Sequence, residues 1–333
     1  MEFLFSFIVP VYNRPNEVRE LLESLEKQTY AKSYEIVIVE DGSTISSEAE
    51  VACFSQLPIS YYVKENSGPG DSRNYGMGKA KGNYFIVLDS DCILPPHYLV
   101  TAEKSLQTEY VDCYGGPDAA HTSFSTVQKA INYAMTSLWT TGGIRGGKKS
   151  VDRFQPRSFN MGISKKAFEK TGGYGNIHPG EDPDLTIRIW NNGFTTKLIP
   201  EAYVYHKRRI DWNKFYIQVN KFGMVRPILN KWHPETVKIT YWFPTLFCLG
   251  FIGALFAIFI GFPWFMYGYG LYFGVVFFDS LWKNKNTIIA LLSVVAVGIQ
   301  FVGYGSGFIK STLVLGASNR TAQELFPKLF FKV

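Results

Sequence analysis

Two aspartates, Asp89 and Asp91, close the apolar run Tyr84-Phe85-Ile86-Val87-Leu88. Alternation along an extended backbone turns both carboxylates to one side, with Ser90 between them, so that they can face one cation or one phosphate-bearing ligand. A second Asp-x-Asp triplet, Asp182-Pro183-Asp184, has different surroundings: Pro179-Gly180-Glu181-Asp182 leads into a segment with helical spacing. Asp182 in that position can cap a helix or take the proton of an acceptor hydroxyl, and a helix N-terminus is expected to lower its pKa. Glu181 and Asp184 compete for the same role, and Arg188 is placed to orient either carboxylate.

Further groups sit at the ends of the other apolar runs. Pro10-Val11-Tyr12 offers main-chain groups for a planar ring edge and, in Tyr12, a surface for stacking a base. In Glu40-Asp41-Gly42-Ser43 a carboxylate can accept from an imide N–H or a ribose hydroxyl, or simply cap a turn. The loop Asn66-Ser67-Gly68-Pro69-Gly70 leads to Arg73, whose fork of donors suits a diphosphate or a carboxylate of the site. Two acidic groups beside a diphosphate call for a hard cation, magnesium or manganese. His206, ahead of Lys207-Arg208-Arg209, is a lone histidine that could add a metal contact. Neither G-x-x-x-x-G-K-[ST] nor G-x-G-x-x-G occurs, which removes the usual phosphate cradles of NTP hydrolysis and dinucleotide binding.

These groups need a scaffold that gathers strand ends. Phe3–Val9, Tyr34–Val39 and Tyr84–Leu88 read as parallel strands, with Ile59–Val63 as a fourth. Between the first two, Asn16–Gln28 places Val18, Leu21, Leu22 and Leu25 on one helical face. Strand–helix–strand order implies a right-handed crossover in an α/β sheet, and such sheets bind ligands beyond the carboxyl ends of their strands. Helices are expected from near Asp71, Pro95 and Asp182. Ser158–Ile163, Thr195–Ile199 and Ala202–Tyr205 read as later strands, and Thr140–Gly147 as a glycine-rich loop.

Of the 333 residues, Ile239 to Phe278 contains no formal charge, and neither does Asn286 to Ile309. A spanning helix needs about 20 apolar residues. Two to three spans are therefore expected, near 241–261, 263–281 and 287–309, and Gly303, Gly305 and Gly307 leave open whether the third bends back or lies in the interface. The net charge of +6 lies mainly beside this tail, which points to a membrane surface and away from nucleic acid. Cys53, Cys92, Cys113 and Cys248 have no paired or metal-site spacing and are expected to be reduced thiols. The apolar N-terminus lacks a basic flank and reads as a first strand, not a signal peptide. The division expected is a catalytic domain over 1–238, a membrane region over 239–312 and a basic tail over 313–333.

In order and spacing, "FSFIVPVYNR", "EIVIVEDGST", "ENSGPGDSRNYG", "YFIVLDSDC", "SFNMGISKKAFEKTGGYG" and "GEDPDLTIRIWNNG" resemble the motifs of a family-2 glycosyltransferase with the GT-A fold. The resemblance covers about residues 3–206. It implies an α/β, Rossmann-like mixed sheet and the inverting transfer of a sugar from a nucleotide-diphosphate donor, UDP first, GDP or TDP next. By it, Asp41 contacts base or ribose, and Arg73 with the Asn66–Gly70 loop shapes the donor site. Asp89 and Ser90 lie by the ribose, Asp91 holds the metal, and Asp182 is the base. Asn160, within Phe159–Gly162, faces sugar and acceptor or supports that region, and His206 adds a metal contact. Processive members carry [QR]-x-x-R-W, whereas Arg208-Arg209-Ile210-Asp211-Trp212 has Asp211 in place of the arginine. Single-sugar transfer is therefore expected, onto a lipid-linked glycan at the cytoplasmic membrane, with the catalytic domain facing the cytosol. A sugar-nucleotide pyrophosphorylase would need a glycine- and arginine-rich loop that Pro10–Asn16 lacks. A non-catalytic scaffold predicts losses at Asp41, Asp91 or Glu181-Asp182, and all are present.

Overall fold

The computed structural model describes residues 2–119, 124–141, 154–206 and 211–331. The chain forms two compact units, one of Met1–His121, Lys148–Lys207 and Phe330–Val333, the other of Thr122–Gly147 and Arg208–Leu329.

In the first unit, strands β1 (Phe5–Val11), β2 (Tyr34–Asp41), β3 (Ile59–Lys64) and β4 (Tyr84–Leu88) alternate with helices α1 (Pro15–Glu26), α2 (Glu48–Ala52) and α3 (Pro69–Lys79). The four strands pair in parallel in the order β3-β2-β1-β4. Then come β5 (Cys92–Ile93), α4 (Tyr98–Thr108), β6 (Cys113–Gly115) and β7 (Asp118–Ala119). Helices α5 (Thr126–Thr136) and α6 (Leu138–Thr141) belong to the second unit. The chain returns through β8 (Asn160–Ser164), α7 (Lys165–Thr171), α8 (Glu181–Asn191), β9 (Thr196–Leu198) and β10 (Val204–His206). Strand β8 runs antiparallel between β4 and β6, giving a seven-stranded mixed sheet that ends at β9. A small second sheet, β5-β10-β7, lies beyond the end of β4.

Residues of β1 alternate between two cores. Phe5, Phe7 and Val9 pack with Val18, Leu21, Leu22 and Leu25 of α1, while Ile8 packs on the other face with Met77, Leu185 and Ile189. Each of these buried apolar side chains contributes about 1.5–3 kcal/mol relative to exposure. Helix α3 lies close on the sheet because Gly76 has no side chain: a Cβ there would stand 2.7 Å from Ile8 Cγ2. That close approach aims the start of α3, and with it Arg73, at the strand ends.

The second unit contains α9 (Trp212–Trp232), α10 (Phe243–Phe259), α11 (Trp264–Asn284), α12 (Thr287–Gly316) and α13 (Ala322–Leu325). Helix α12 is continuous over 30 residues, about 45 Å at 1.5 Å per residue, with no break at Gly303, Gly305 or Gly307. Its glycines admit neighbours. A Cβ on Gly303 would meet Val219 Cγ2 at 2.5 Å, and one on Gly307 would strike the carbonyl of Asn220, both on α9. Asn220 Nδ2 donates to the Gly303 carbonyl at 3.0 Å, so α9, which precedes residue 238, is docked along α12. Among the described residues, two helical stretches, Ile239–Phe259 and Thr287–Gly316, are long and apolar enough to cross a membrane. Helix α11 is as long but less apolar, carrying Trp264, Tyr267, Tyr269, Tyr272 and Trp282. Ile252, Phe256 and Phe259 on α10 and Leu291, Val302 and Leu313 on α12 point their apolar side chains outward.

Candidate active site

The parallel strands β1 to β4 end at one edge of the seven-stranded sheet, and polar residues gather there. At the end of β1, Val11 is buried and Tyr12 emerges with 52% of its surface exposed. Asn13 ties this exit to that of β2: its N–H donates to Ser43 Oγ at 2.8 Å and its Oδ1 accepts from Thr44 N at 2.8 Å and Ile45 N at 2.9 Å. Pro10, one residue earlier than Val11, pairs in register with Val39.

Asp41, at the end of β2, turns its carboxylate onto the loop after β3. Oδ1 accepts from Ser67 N at 2.9 Å and Lys64 Nζ at 3.0 Å, and Oδ2 accepts from Gly68 N at 2.9 Å. Asn66 Nδ2 donates to the Asp41 carbonyl at 2.8 Å. The loop is possible because Gly68 adopts φ +94°, a region costly for a residue with a side chain. Asp41 is thus the organiser of the Asn66–Gly70 loop.

Arg73, 3% exposed, joins two parts of the chain far apart in sequence. One terminal nitrogen reaches Asp89 Oδ1 at 2.8 Å and the other Glu181 Oε1 at 3.2 Å, and its guanidinium lies 5.2 Å from the centre of the Tyr174 ring. Glu181 is 4% exposed and also meets His178 Nδ1 at 2.9 Å. Burial favours the neutral form of Glu181, but His178 and Arg73 outweigh it and hold the carboxyl well below its ordinary value.

Asp182 follows at the head of α8. Its Oδ1 is buried with no hydrogen-bond partner among the described residues. Burial and the neighbouring Glu181 push the carboxyl up to about 6, while Arg73, Arg157 and the Ser158 hydroxyl pull the other way. The helix N-terminus was expected to lower this pKa. Its effect, typically 0.3–1 kcal/mol, is smaller than the combined cost of desolvation and an adjacent anion, so the direction reverses.

The turn after β4 is closed by Cys92 N donating to the Asp89 carbonyl at 3.1 Å, with Ser90 buried inside it and Asp91 Oδ1 also buried. Antiparallel pairing of β10 with β5 sets the backbone of His206 opposite Cys92, beside Asp91. The His206 side chain and the triplet Lys207–Arg209 lie outside the described residues, as does the stretch 142–153, most of the glycine-rich loop. Among the described residues no three His, Cys, Asp or Glu side chains converge as a protein-only metal cage. A magnesium-type ion held by one or two carboxylates and the phosphates of its substrate needs no such cage, and the Asp89–Asp91 turn fits that requirement.

Two other residues singled out in the sequence are fully occupied within the fold. Asn160 is 0% exposed, with Oδ1 accepting from the Tyr98 hydroxyl and Nδ2 donating to the Ala202 carbonyl at 2.8 Å. Arg188 pairs with Asp184 at 2.7 Å and caps the carbonyls of Thr171 and Gly173, leaving Asp182 without it. Sequence reasoning did not single out Lys64, Tyr174 or His178. No local pattern marks them, because their partners lie on separate segments.

The Glycosyl transferase family 2 model matches residues 6–172, half of the chain. An uncharacterized glycosyltransferase of Rickettsia bellii is 38% identical over 117 residues, 34% of this chain and 17% of that protein. Glycosyltransferase GlyA of Streptococcus pneumoniae is 42% identical over 101 residues, 30% of this chain and 14% of its own length. The minor teichoic acid biosynthesis protein GgaA of Bacillus subtilis is 28% identical over 159 residues, 46% of this chain and 31% of that protein. The chain therefore spans a minor part of each of these relatives. Among solved structures, the mannosyltransferase PcManGT of Pyrobaculum calidifontis, in complex with GDP-Man and Mn2+, superimposes with a TM-score of 0.60 at 13% identity, over 93% of this chain and 87% of that one. With its mixed sheet and this likeness the first unit has the GT-A fold, and the chain belongs to glycosyl transferase family 2.

Proposed function

We propose that the protein moves one sugar from a nucleotide-diphosphate donor to a hydroxyl of a lipid-linked glycan, with inversion, at the cytosolic face of the cytoplasmic membrane. The observation that carries this reading is the Asp182 carboxylate: one oxygen buried without a partner among the described residues, its proton affinity raised, and its neighbour Glu181 anchored through Arg73 to the turn that contains Asp91. A base with a pKa near 6 is ionised at neutral pH and still accepts a proton effectively, a role worth about 10²–10⁴-fold.

Asp182 takes the proton of the acceptor hydroxyl as its oxygen attacks the anomeric carbon from the face opposite the nucleotide. The bond from that carbon to the diphosphate oxygen breaks, and configuration inverts. Asp41 keeps the Ser67–Gly68 loop in place to receive the nucleoside, and the exposed Tyr12 ring offers a surface for stacking the base. Asp91, with His206 as a second candidate, is the group to hold Mg2+ or Mn2+, which when bound supplies charge neutralisation on the departing diphosphate. Two apolar helices support a membrane-bound acceptor, and the Bacillus relative's name, minor teichoic acid biosynthesis protein, supports a cell-surface polymer intermediate as its class.

The test is a screen of UDP-, GDP- and TDP-sugars with the full-length protein in detergent, with and without Mn2+. Asp91→Ala should lose metal-dependent donor binding, and Asp182→Asn should bind donor normally and lose transfer. Full transfer by Asp182→Asn refutes the assignment of the base.

A further inference from the structure

The segment around Phe331 packs onto the proposed donor site although it lies more than 260 residues from the loop it touches. Phe330 forms an antiparallel bridge with Ile177, and Phe331 N–H donates to the Asn176 carbonyl at 3.0 Å. Those two backbone contacts set the side chain. The Phe331 ring covers Gly68 so closely that a Cβ on that glycine would stand 2.6 Å from ring atom Cδ1. The ring centre is also 5.8 Å from that of His178, at an interplanar angle of 47°.

Each neighbour of the ring belongs to a different arm of the site. Gly68 donates its N–H to Asp41 Oδ2 at 2.9 Å, and His178 Nδ1 meets Glu181 Oε1 at 2.9 Å. Glu181 in turn holds Arg73 and precedes Asp182. We propose that Phe331 is a positioning residue for donor binding, an aromatic wedge that seats the Ser67–Gly68 loop against the His178–Glu181 arm. This rests on the reading of the site as a nucleotide-sugar site. The ring adds no charge and exchanges no proton; it fixes the distance between the loop that receives the nucleoside and the segment that carries the base. A flexible aliphatic side chain fills similar space but offers neither a rigid ring against the glycine nor an aromatic contact with the imidazole.

The experiment compares the full-length protein with Phe331→Ala, Phe331→Leu and Phe331→Tyr. It reads the Kd of UDP and of GDP with Mn2+ by calorimetry, and donor KM and kcat by transfer or donor hydrolysis. Loss of an aromatic contact of this kind corresponds to roughly a two- to tenfold change in affinity. The Ala and Leu variants should weaken nucleotide binding and raise donor KM by about that factor, with kcat changed less than KM. Phe331→Tyr should restore wild-type values, which separates a need for the ring from a need for bulk. If Phe331→Ala does not fold, Phe331→Leu carries the test. Nucleotide affinity and donor KM equal to wild type in a folded Leu or Ala variant overturn the proposal. A wild-type protein that binds no nucleotide diphosphate in the presence of Mn2+ instead overturns the donor-site reading on which it rests.

Discussion

Replacing Arg73 by Met removes a buried cation from between Asp89 at 2.8 Å and Glu181 at 3.2 Å while keeping much of its bulk. Two consequences follow from the geometry. The first concerns stability: breaking a buried ion pair by deleting one partner typically costs about 3–5 kcal/mol, because the remaining charge is left desolvated. His178 Nδ1 still faces Glu181 at 2.9 Å, so that carboxylate keeps one partner. The second concerns Asp182, the proposed base. Arg73 is one of the groups that draws the Asp182 carboxyl down from the value that burial and Glu181 impose, so its removal lets the pKa rise above about 6. A base that ionises at higher pH loses activity at higher pH: the acid limb of kcat/KM should move upward, at a tenfold loss per unit below the inflection. The assay is kcat/KM for donor and acceptor across about pH 4.5–9, with thermal unfolding of the same samples. Arg73→Lys keeps a charge but loses the planar fork that serves two carboxylates at once, and should fall between wild type and Met. A folded Arg73→Met protein whose acid limb stays in place or moves downward would refute this account of the site's electrostatics.

Asp182→Asn should stabilise the fold while abolishing transfer. The folded pKa of Asp182 is raised to about 6 from 3.8, so ionisation destabilises the fold increasingly from about pH 4 to pH 6 and fully above. The Asn variant should therefore unfold at a higher temperature than wild type at pH 8, and the gain should vanish below about pH 4. Glu181 runs the other way. Its folded pKa is lowered, so its contribution is present at neutral pH and lost as pH falls through the acidic range below 4.5, and Glu181→Gln should flatten acid unfolding there. Asp41→Ala leaves Ser67 N and Gly68 N without their acceptor and Lys64 with Asp71 as its remaining carboxylate, and should weaken nucleotide binding by at least tenfold with the sheet intact by circular dichroism. Gly76→Val drives a side chain into Ile8 on β1 and should cost about 1–3 kcal/mol or more in unfolding free energy, read from denaturant titration.

The parts of the molecule legible in one dimension are those that local periodicity specifies. Strand β4 matches its sequence expectation residue for residue, and β1, β2 and α1 differ only at their ends, because burial on one or two faces writes a period into the chain. Strand β8 was expected as a strand, but its antiparallel place between β4 and β6 was not, since direction depends on partners that its own residues do not encode. The same holds for α9: its mixed surface gives no clear stripe, and its place is set by Gly303 and Gly307 on α12.

For the site, the sequence by itself determined the inventory: carboxylates at the ends of β2 and β4, an arginine after a glycine-rich loop, and an acidic pair at the start of α8. Tertiary structure alone decided what each of them touches. It turned Asp41 onto the Ser67–Gly68 loop, spent Arg188 on Asp184, and joined Asp89 to Glu181 through Arg73. It also reversed the expected shift of Asp182, because a pKa answers to desolvation and to charges a few ångströms away in space, and neither is a function of distance along the chain.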